Sequence, residues 1–507
     1  MIVFNHDCIL PRGKPVPRDP DLIVDRGRER AHLQALLDRG SPQLVLMYGR
    51  RRVGKTYLLN RVWPTERSFY FTAAETTPSQ NREALLAAFA EWSGQEVRVE
   101  DYSTWRTVFR LLMEHASPDP LTITIDEFQY LGESEKDLVG VASELNAVWE
   151  MRRAPRPLVF VVAGSAVRTL ESMNAGGSPL YGRFAWVHQL RPFDYFDAAV
   201  LAGFEDLRDR VYAYAVFGGT PRYLTEIDPD RSIAENIQAQ MLAPTGEVRE
   251  MVRTALLQEQ GFRDIPKYTA ILRAIGNGRK LINDVAQAAG LELDTAFRDK
   301  LERLAAFDYV KQSRNLGAKS REPYRYRVLD PASRFFYEFV APWESMLATQ
   351  SAPAVWDTLV APRLDTYTGM IFEHVVEEAY YRLQSSRQLP LVKEWGRWEG
   401  VDRHRSSLEM DIASELADGR VLTGAIKWNA RPMDVAVHNA HLGMIERLAD
   451  SGVEWANRAR DADSPLLYVC ASGFTEEFER IVRTSRPNTY LWSLHDLYAD
   501  EAARSQD

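Results

Sequence analysis

The residues Gly49-Arg50-Arg51-Arg52-Val53-Gly54-Lys55-Thr56 hold two glycines, a lysine and a threonine at the spacing G-x-x-x-x-G-K-[ST]. Chemistry of phosphates needs those types in that order. The glycines let the backbone curl so that N–H groups face phosphate oxygens. Lys55 would reach the β- and γ-phosphates, and the Thr56 hydroxyl would ligate Mg²⁺. Arg50, Arg51, Arg52 and Val53 supply the intervening backbone and Tyr57 follows, so all nine positions are candidates for contact with ATP and Mg²⁺. About seventy residues on, Leu121–Glu127 (LTITIDE) is an apolar run that ends in two acids. Asp126 there would hold Mg²⁺ through water, and Glu127 would polarise an attacking water, which suits hydrolysis better than a pure binding switch. Ser165, at the end of LVFVVAGS, is placed to sense the γ-phosphate or position water. Arg183 is a candidate to read the γ-phosphate, in cis or from a neighbour.

These side chains need a scaffold, and the flanking residues describe one. LVLMY precedes the Gly-rich loop and TYLLNRVW follows it, a strand and a helix in the context that the motif requires. LVLMY, SFYFTA, LTITID and LVFVVAGS read as short buried strands, and REALLAAFAEW and TWRTVFRLLMEHA as amphipathic helices between them. Alternation of this kind implies a parallel α/β sheet. SFYFTA lies between the two acidic and glycine-rich motifs in sequence, as in those phosphate-loop folds whose catalytic acid follows the Mg-binding aspartate. The chain has 507 residues, 45% hydrophobic and 26% charged, which excludes a disordered or fibrous protein and suggests roughly three domains. Two cysteines, Cys8 and Cys470, make neither a disulfide scaffold nor a zinc site. The start lacks a basic segment followed by a long apolar one, and the longest apolar runs are about half the ~20 residues of a membrane span, so a cytoplasmic protein without a membrane partner is expected.

GRRRVGKT, IDEFQYL, AGSAVRTLE, LYGR followed by LRPF, and FGGTPRYL together resemble the archaeal-type P-loop ATPases, AAA+-related proteins of the signal-transduction ATPase group. The likeness runs roughly from Arg26 to Trp428. It implies an arginine-finger or sensor role for Arg183, a helical lid that carries Gly218–Tyr223 near the nucleotide, and an adenine neighbourhood at Gly27-Arg28-Glu29. A simpler reading of the GGTP turn is a helix cap.

Lys267–Arg327 holds 13 Lys/Arg against 7 Asp/Glu, net +6 in a chain of net charge −9. ILRAIGNG, LINDVAQAAGL and DTAFRDKLERLAAFDYV, then YRYRV, read as three helices and a hairpin, a winged helix-turn-helix outline. Its third helix, Asp294 to Phe307, would present Arg298, Lys300 and Arg303; the wing would carry Arg314, Lys319, Arg321, Arg325 and Arg327. Salt-sensitive contact with nucleic acid, DNA in the first place, follows from such a surface. Packing of the module as a protein contact is the competing reading.

The C-terminal region opens with GMIFEHVVEEAYYRL and has strand-like runs near Glu409–Ser414, Val421–Trp428 and Leu466–Val469. It resembles the PD-(D/E)xK nuclease domain that the family often carries. The resemblance matches the helix acid to Glu373, the strand aspartate to Asp411 and the last lysine to Lys427. The acid of E-x-K is Ala425, which cannot ligate a metal. Three explanations stand: a relic that binds nucleic acid or a partner, substitution by Glu415 or Glu409, or an engineered inactivation. Trp395, Trp398 and Trp428 would stack on bases or fill a core.

The expected fold class is therefore α/β: residues 1–192 a P-loop ATPase core, 193–262 a helical lid, 263–345 a winged helix, and 346–507 a degenerate restriction-nuclease-like α/β domain. The expected function is that of a Mg-dependent ATPase coupling ATP binding or hydrolysis to a DNA-linked effector. A nucleotide switch or scaffold with little turnover that binds a protein, and an ATP-controlled nuclease, are the alternatives. A finger from a neighbour would require a homo-oligomer.

Overall fold

The computed structural model of the chain describes residues 26–115, 121–151, 157–259, 262–319 and 321–499. Cys8 lies outside them. Two compact units form: Asp21–Pro192 with Thr254–Ile265, and Phe193–Arg253 with Pro266 onward.

The first unit is built on five parallel strands, β1 (Gln43–Tyr48), β2 (Ser68–Thr72), β3 (Leu121–Asp126), β4 (Leu158–Gly164) and β5 (Phe184–Gln189), in the order β2-β3-β4-β1-β5. β1, β3 and β4 are buried at every residue. Burial along their whole length is what a sheet covered by helices on both faces gives. On one face Val45, Met47, Val159, Val161 and Ala163 pack with Leu33 and Leu36 of helix Gly27–Asp38 and with Leu58 and Leu59 of helix Lys55–Leu59. β5 had no reading as a strand in the sequence. FAWVHQ is only half-buried, an edge strand without the apolar density of its neighbours. In space it is β4, not β2, that separates β1 from β3.

The second unit begins with short helices, Tyr195–Ala202, Leu207–Phe217, Pro221–Leu224 and Ile233–Ile237. Aspartates start the first two: Asp194 accepts from Phe196 N and Asp197 N, and Asp206 from Arg208 N and Asp209 N. Helix Glu247–Gln258 follows and continues into the Thr254–Ile265 segment of the first unit. Helices Ile265–Gly276, Ile282–Ala289 and Thr295–Ala306 then lead into an antiparallel hairpin, β6 (Val310–Ser313) with β7 (Arg325–Val328), and Leu281 bridges Arg325 beside it. Asp294 caps the third helix through Phe297 N at 2.7 Å.

The Pro-containing stretch at 351–362 is helical. Pro353 and Pro362 occupy first-turn positions of helices Ala352–Val355 and Ala361–Leu383, where no N–H is missed. The long helix precedes a mixed sheet of β8 (Val392–Glu394), β11 (Ile412–Leu416), β12 (Val421–Lys427), β13 (Leu466–Cys470) and β14 (Thr489–Trp492), ordered β14-β13-β12-β11-β8. β12, β13 and β14 run parallel, while β8–β11 and β11–β12 are antiparallel. A separate hairpin pairs β9 (Trp398–Val401) with β10 (Ser407–Met410). Among the described residues no helix is long and apolar enough to cross a membrane.

Candidate active site

The loop between β1 and helix Lys55–Leu59 is held tightly. A Cβ on Gly49 would come within 2.2 Å of the Leu190 carbonyl oxygen, so only glycine fits there. Arg52 and Gly54 both take the left-handed conformation, at φ 70° and 93°. Alternation of that kind turns successive N–H groups to one side. Arg50 and Lys55 are buried. The Lys55 ammonium donates to Gly49 O at 2.7 Å and Arg50 O at 3.0 Å. Burial pushes its pKa down, more than the carboxylates of Glu127, Asp126 and Glu259 pull it up. Tyr57 is exposed, with the Arg61 guanidinium 3.9 Å from its ring centre.

The acids at the end of β3 lie beside that loop. Thr56 Oγ1 donates to Asp126 Oδ2 at 2.7 Å, so the two side chains that could hold Mg²⁺ lie side by side. Tyr70, on neighbouring β2, donates its hydroxyl to the same oxygen at 2.6 Å, and Glu127 N donates to Oδ1 at 2.9 Å. Burial and the Asp126 carboxylate push the Tyr70 phenol well above its ordinary range. Glu127 is left-handed at φ 52°. Its Oε2 accepts from Ser165 Oγ at 2.7 Å, from Ser165 N at 3.1 Å and from Gln129 Nε2. The structure thus brings Lys55, Thr56, Asp126, Glu127 and Ser165 together. Tyr70 and Gln129 escaped the sequence reading. Gln129 stands in IDEFQYL two residues past Glu127; Tyr70 needed the register Tyr70↔Thr124 to be known.

Glu259 escaped it too. Its carboxylate Oε1 accepts from Arg51 N at 2.9 Å, 208 residues along the chain. Burial raises its pKa, against Arg51 N–H, Lys55 and the Arg50 and Arg51 guanidiniums. Arg51 Nη2 also donates to Tyr130 Oη at 3.0 Å.

Arg183 is not brought to this site within the chain. It stands just before β5, whose Phe184 aligns with Leu44 at the start of β1, whereas the loop follows Tyr48 at the other end, about 16 Å away along the strand. Its guanidinium pairs with Glu150 at 3.2 Å. An intrachain role at the phosphates is therefore corrected. Gly27-Arg28-Glu29 starts a helix whose capping residue Arg26 donates to Val53 O of the loop at 3.2 Å and to Arg191 O at 2.6 Å. Burial would raise the Glu29 carboxyl, but the His188 ring 3.3 Å away and Arg26 hold it below the ordinary range. Gly218 closes helix Leu207–Phe217, its N–H on Tyr214 O at 2.9 Å. A Cβ on Gly219 would come within 1.8 Å of Phe193 O.

In the C-terminal region Asp411 lies between β10 and β11, and its Oδ2 accepts from Ile426 N at 2.9 Å and Lys427 Nζ at 3.1 Å. Burial and the Asp411 charge push the Glu373 carboxyl up, although Arg397 donates to it at 3.1 Å. Arg397 also pairs with Glu409. Glu415 pairs with Arg458 at 3.5 Å and Lys393 at 3.8 Å, and aligns with Val421 at the opposite end of β12 from Lys427. Ala425 is buried in an apolar cluster with Met433, Leu466, Tyr468, Cys470 and Phe478. Two cations, Arg397 and Lys427, thus occupy the neighbourhood of Glu373 and Asp411. Among the described residues no three His, Cys, Asp or Glu side chains are grouped to hold a metal. Trp428 is buried, donates to Asp365 at 2.9 Å and stacks under Arg208; Trp398 packs beside Trp455, and Trp395 beside Tyr380. Trp395 and Trp398 are half-buried.

The basic module divides. Arg298 and Arg321 are exposed, and Lys300 and Arg303 are half-buried. Arg327 and Lys311 are committed to Glu377, the former at 2.8 Å, and Lys280 and Arg325 to Glu399, at 2.8 and 3.7 Å. Arg325 and Arg327, expected to be carried by the wing, tie it to Glu399 and Glu377 of the C-terminal region.

Residues 23–227 match the family described as "ATPase domain predominantly from Archaea". Residues 336–439 match a family of archaeal and bacterial proteins of unknown function. An uncharacterised protein of Methanocaldococcus jannaschii is 24% identical over 420 residues, 80% of this chain and 88% of that one. Similar solved structures include the Walker-type ATPase of Pyrococcus abyssi, at 20% identity and TM-score 0.45, over 64% of this chain and 98% of that one. The ORC2 protein of Aeropyrum pernix in its ADPNP–ADP complexes follows at 16% identity and TM-score 0.39, over 66% and 96%. Residues 23–227 thus form an ATPase domain of the first family, and residues 336–439 a domain of the second.

Proposed function

We propose that the chain is a Mg²⁺-dependent ATP hydrolase whose turnover is coupled to DNA through its basic module, and that its C-terminal domain binds without cutting. The observation that carries the hydrolase reading is the convergence of Thr56 and Asp126 beside a Glu127 carboxylate positioned by Ser165 and Gln129. Bound Mg²⁺ would neutralise charge that develops on the phosphates. Thr56 and Asp126 would hold it, Lys55 would donate to phosphate oxygens, and Glu127 would accept the proton of the attacking water. Arg298 and Arg321, exposed beside the half-buried Lys300 and Arg303, support the DNA contact. Arg183 acts, on this reading, only on a neighbouring copy.

The test is ATP hydrolysis with and without duplex and single-stranded DNA at two salt concentrations. Stimulation that fades with salt is expected; turnover indifferent to DNA would remove the DNA half of the reading. Glu127→Gln should keep ATP binding and lose turnover by about 10²-fold or more. The three donors on Glu127 Oε2 favour one second reading, a slow nucleotide switch: a chain whose biological activity survives Glu127→Gln would establish it.

A further inference from the structure

Glu259 reaches the phosphate loop from a segment that no phosphate motif contains. It is 5% exposed. Its Oε1 takes the Arg51 N–H, a donor of the very loop whose N–H groups would cradle phosphate. Its Oε2 finds no hydrogen-bond partner among the described residues, although the site holds Lys55, Arg50 and Arg51 charges around it. A buried carboxylate with one oxygen unsatisfied is costly, and it persists here because the cations of the loop need an anion. The loop completes the same pattern, since Lys55 is turned onto the Gly49 and Arg50 carbonyls.

We propose that Glu259 is an intramolecular anion that competes with nucleotide phosphate for the donors of the loop. The inference rests on the ATPase reading of that site. Thr254–Ile265 packs in the ATPase unit while the chain on both sides of it belongs to the other unit. Displacement of Glu259 by phosphate therefore loosens the hold of that segment on the phosphate loop. By linkage, whatever holds the segment in place weakens nucleotide binding by the same factor.

The experiment measures the affinities of MgATP and MgADP for the full chain, Glu259→Gln and Glu259→Ala. The isosteric amide keeps the fold and removes the charge; alanine removes the group. Both variants should bind nucleotide about tenfold tighter or more, the size of a lost charged hydrogen bond. Amide exchange at Thr254–Gln258 should rise when MgATP is added to the unaltered chain, and should be high and unresponsive in Glu259→Ala. Folded variants with unchanged or weaker affinity, or exchange that slows on MgATP addition, would overturn the inference and leave the ATPase reading standing. If none of the three chains binds either nucleotide, the ATPase reading falls, and the inference with it.

Discussion

Asp126 serves three donors with two oxygens: Thr56 and Tyr70 hydroxyls on Oδ2 and the Glu127 N–H on Oδ1. Those bonds fix the carboxylate before any ligand arrives, which is how a site lowers the cost of reorganisation. Ala425 shows the opposite situation. Its methyl lies within an apolar cluster, so a carboxylate there would be buried without a partner. Ala425→Glu should lose at least about 2 kcal/mol in a urea titration and gain no Mg-dependent nicking of plasmid DNA. A stable Ala425→Glu chain that nicks would show that the nuclease scaffold is competent. The sequence displayed the missing acid. It could not display the packing around the methyl, because side chains from three other elements create it.

At the scale of elements, Glu377 on helix Ala361–Leu383 joins that helix to the hairpin of the basic module through Arg327 and Lys311. Burial would raise its pKa, but the His374 ring 3.5 Å away, Arg327 and Lys311 hold it far below 4.5. A depressed carboxylate gives stability that is complete above 4.5 and lost as pH falls toward the folded value. Burial would lower His374, but Glu378 and Glu377 raise it above 6.5. A raised histidine gives stability that is complete below 6.5 and lost as pH rises through its folded value. The cluster is thus most stabilising between about pH 4.5 and 6.5. Glu377→Gln should cost about 1.5–3 kcal/mol in that window, and the difference in melting temperature from the unaltered chain should shrink on acidification. A constant difference from pH 3 to 6 would contradict the assignment.

At the scale of the whole molecule, two compact units share one chain, and the short helices from Tyr195 to Ile237, the basic module and the C-terminal sheet belong to the same unit. Within it Tyr367 Oη donates to Ala215 O at 2.9 Å and Pro331 O at 3.1 Å, and Glu378 accepts from Tyr195 N at 3.0 Å and Tyr214 Oη at 3.1 Å. Calorimetry should therefore resolve two transitions. MgATP at about 100 times its Kd should stabilise the ATPase unit by about 2.7 kcal/mol and leave the other transition nearly unmoved. A single transition that shifts as a whole would mean that the units unfold together.

The sequence alone determined what depends on neighbours in the chain. GRRRVGKT, the buried runs of β1, β3 and β4, the Asp126–Glu127 pair and the cap at Asp294 are local signals, set by backbone conformation and by periods of two and 3.6 residues. Only the tertiary structure decided which distant side chains share a site. It put Ser165 on Glu127, Tyr70 on Asp126 and Glu259 on Arg51, placed Arg183 at the far end of the sheet, and turned Arg325 and Arg327 inward to Glu399 and Glu377. The physical reason is that charge and hydrogen-bond pairing act over a few ångströms in space. Strand order, register and the docking of the segment after helix Glu247–Gln258, which brings positions 208 residues apart into contact, are fixed by packing of whole elements rather than by any local run of residues.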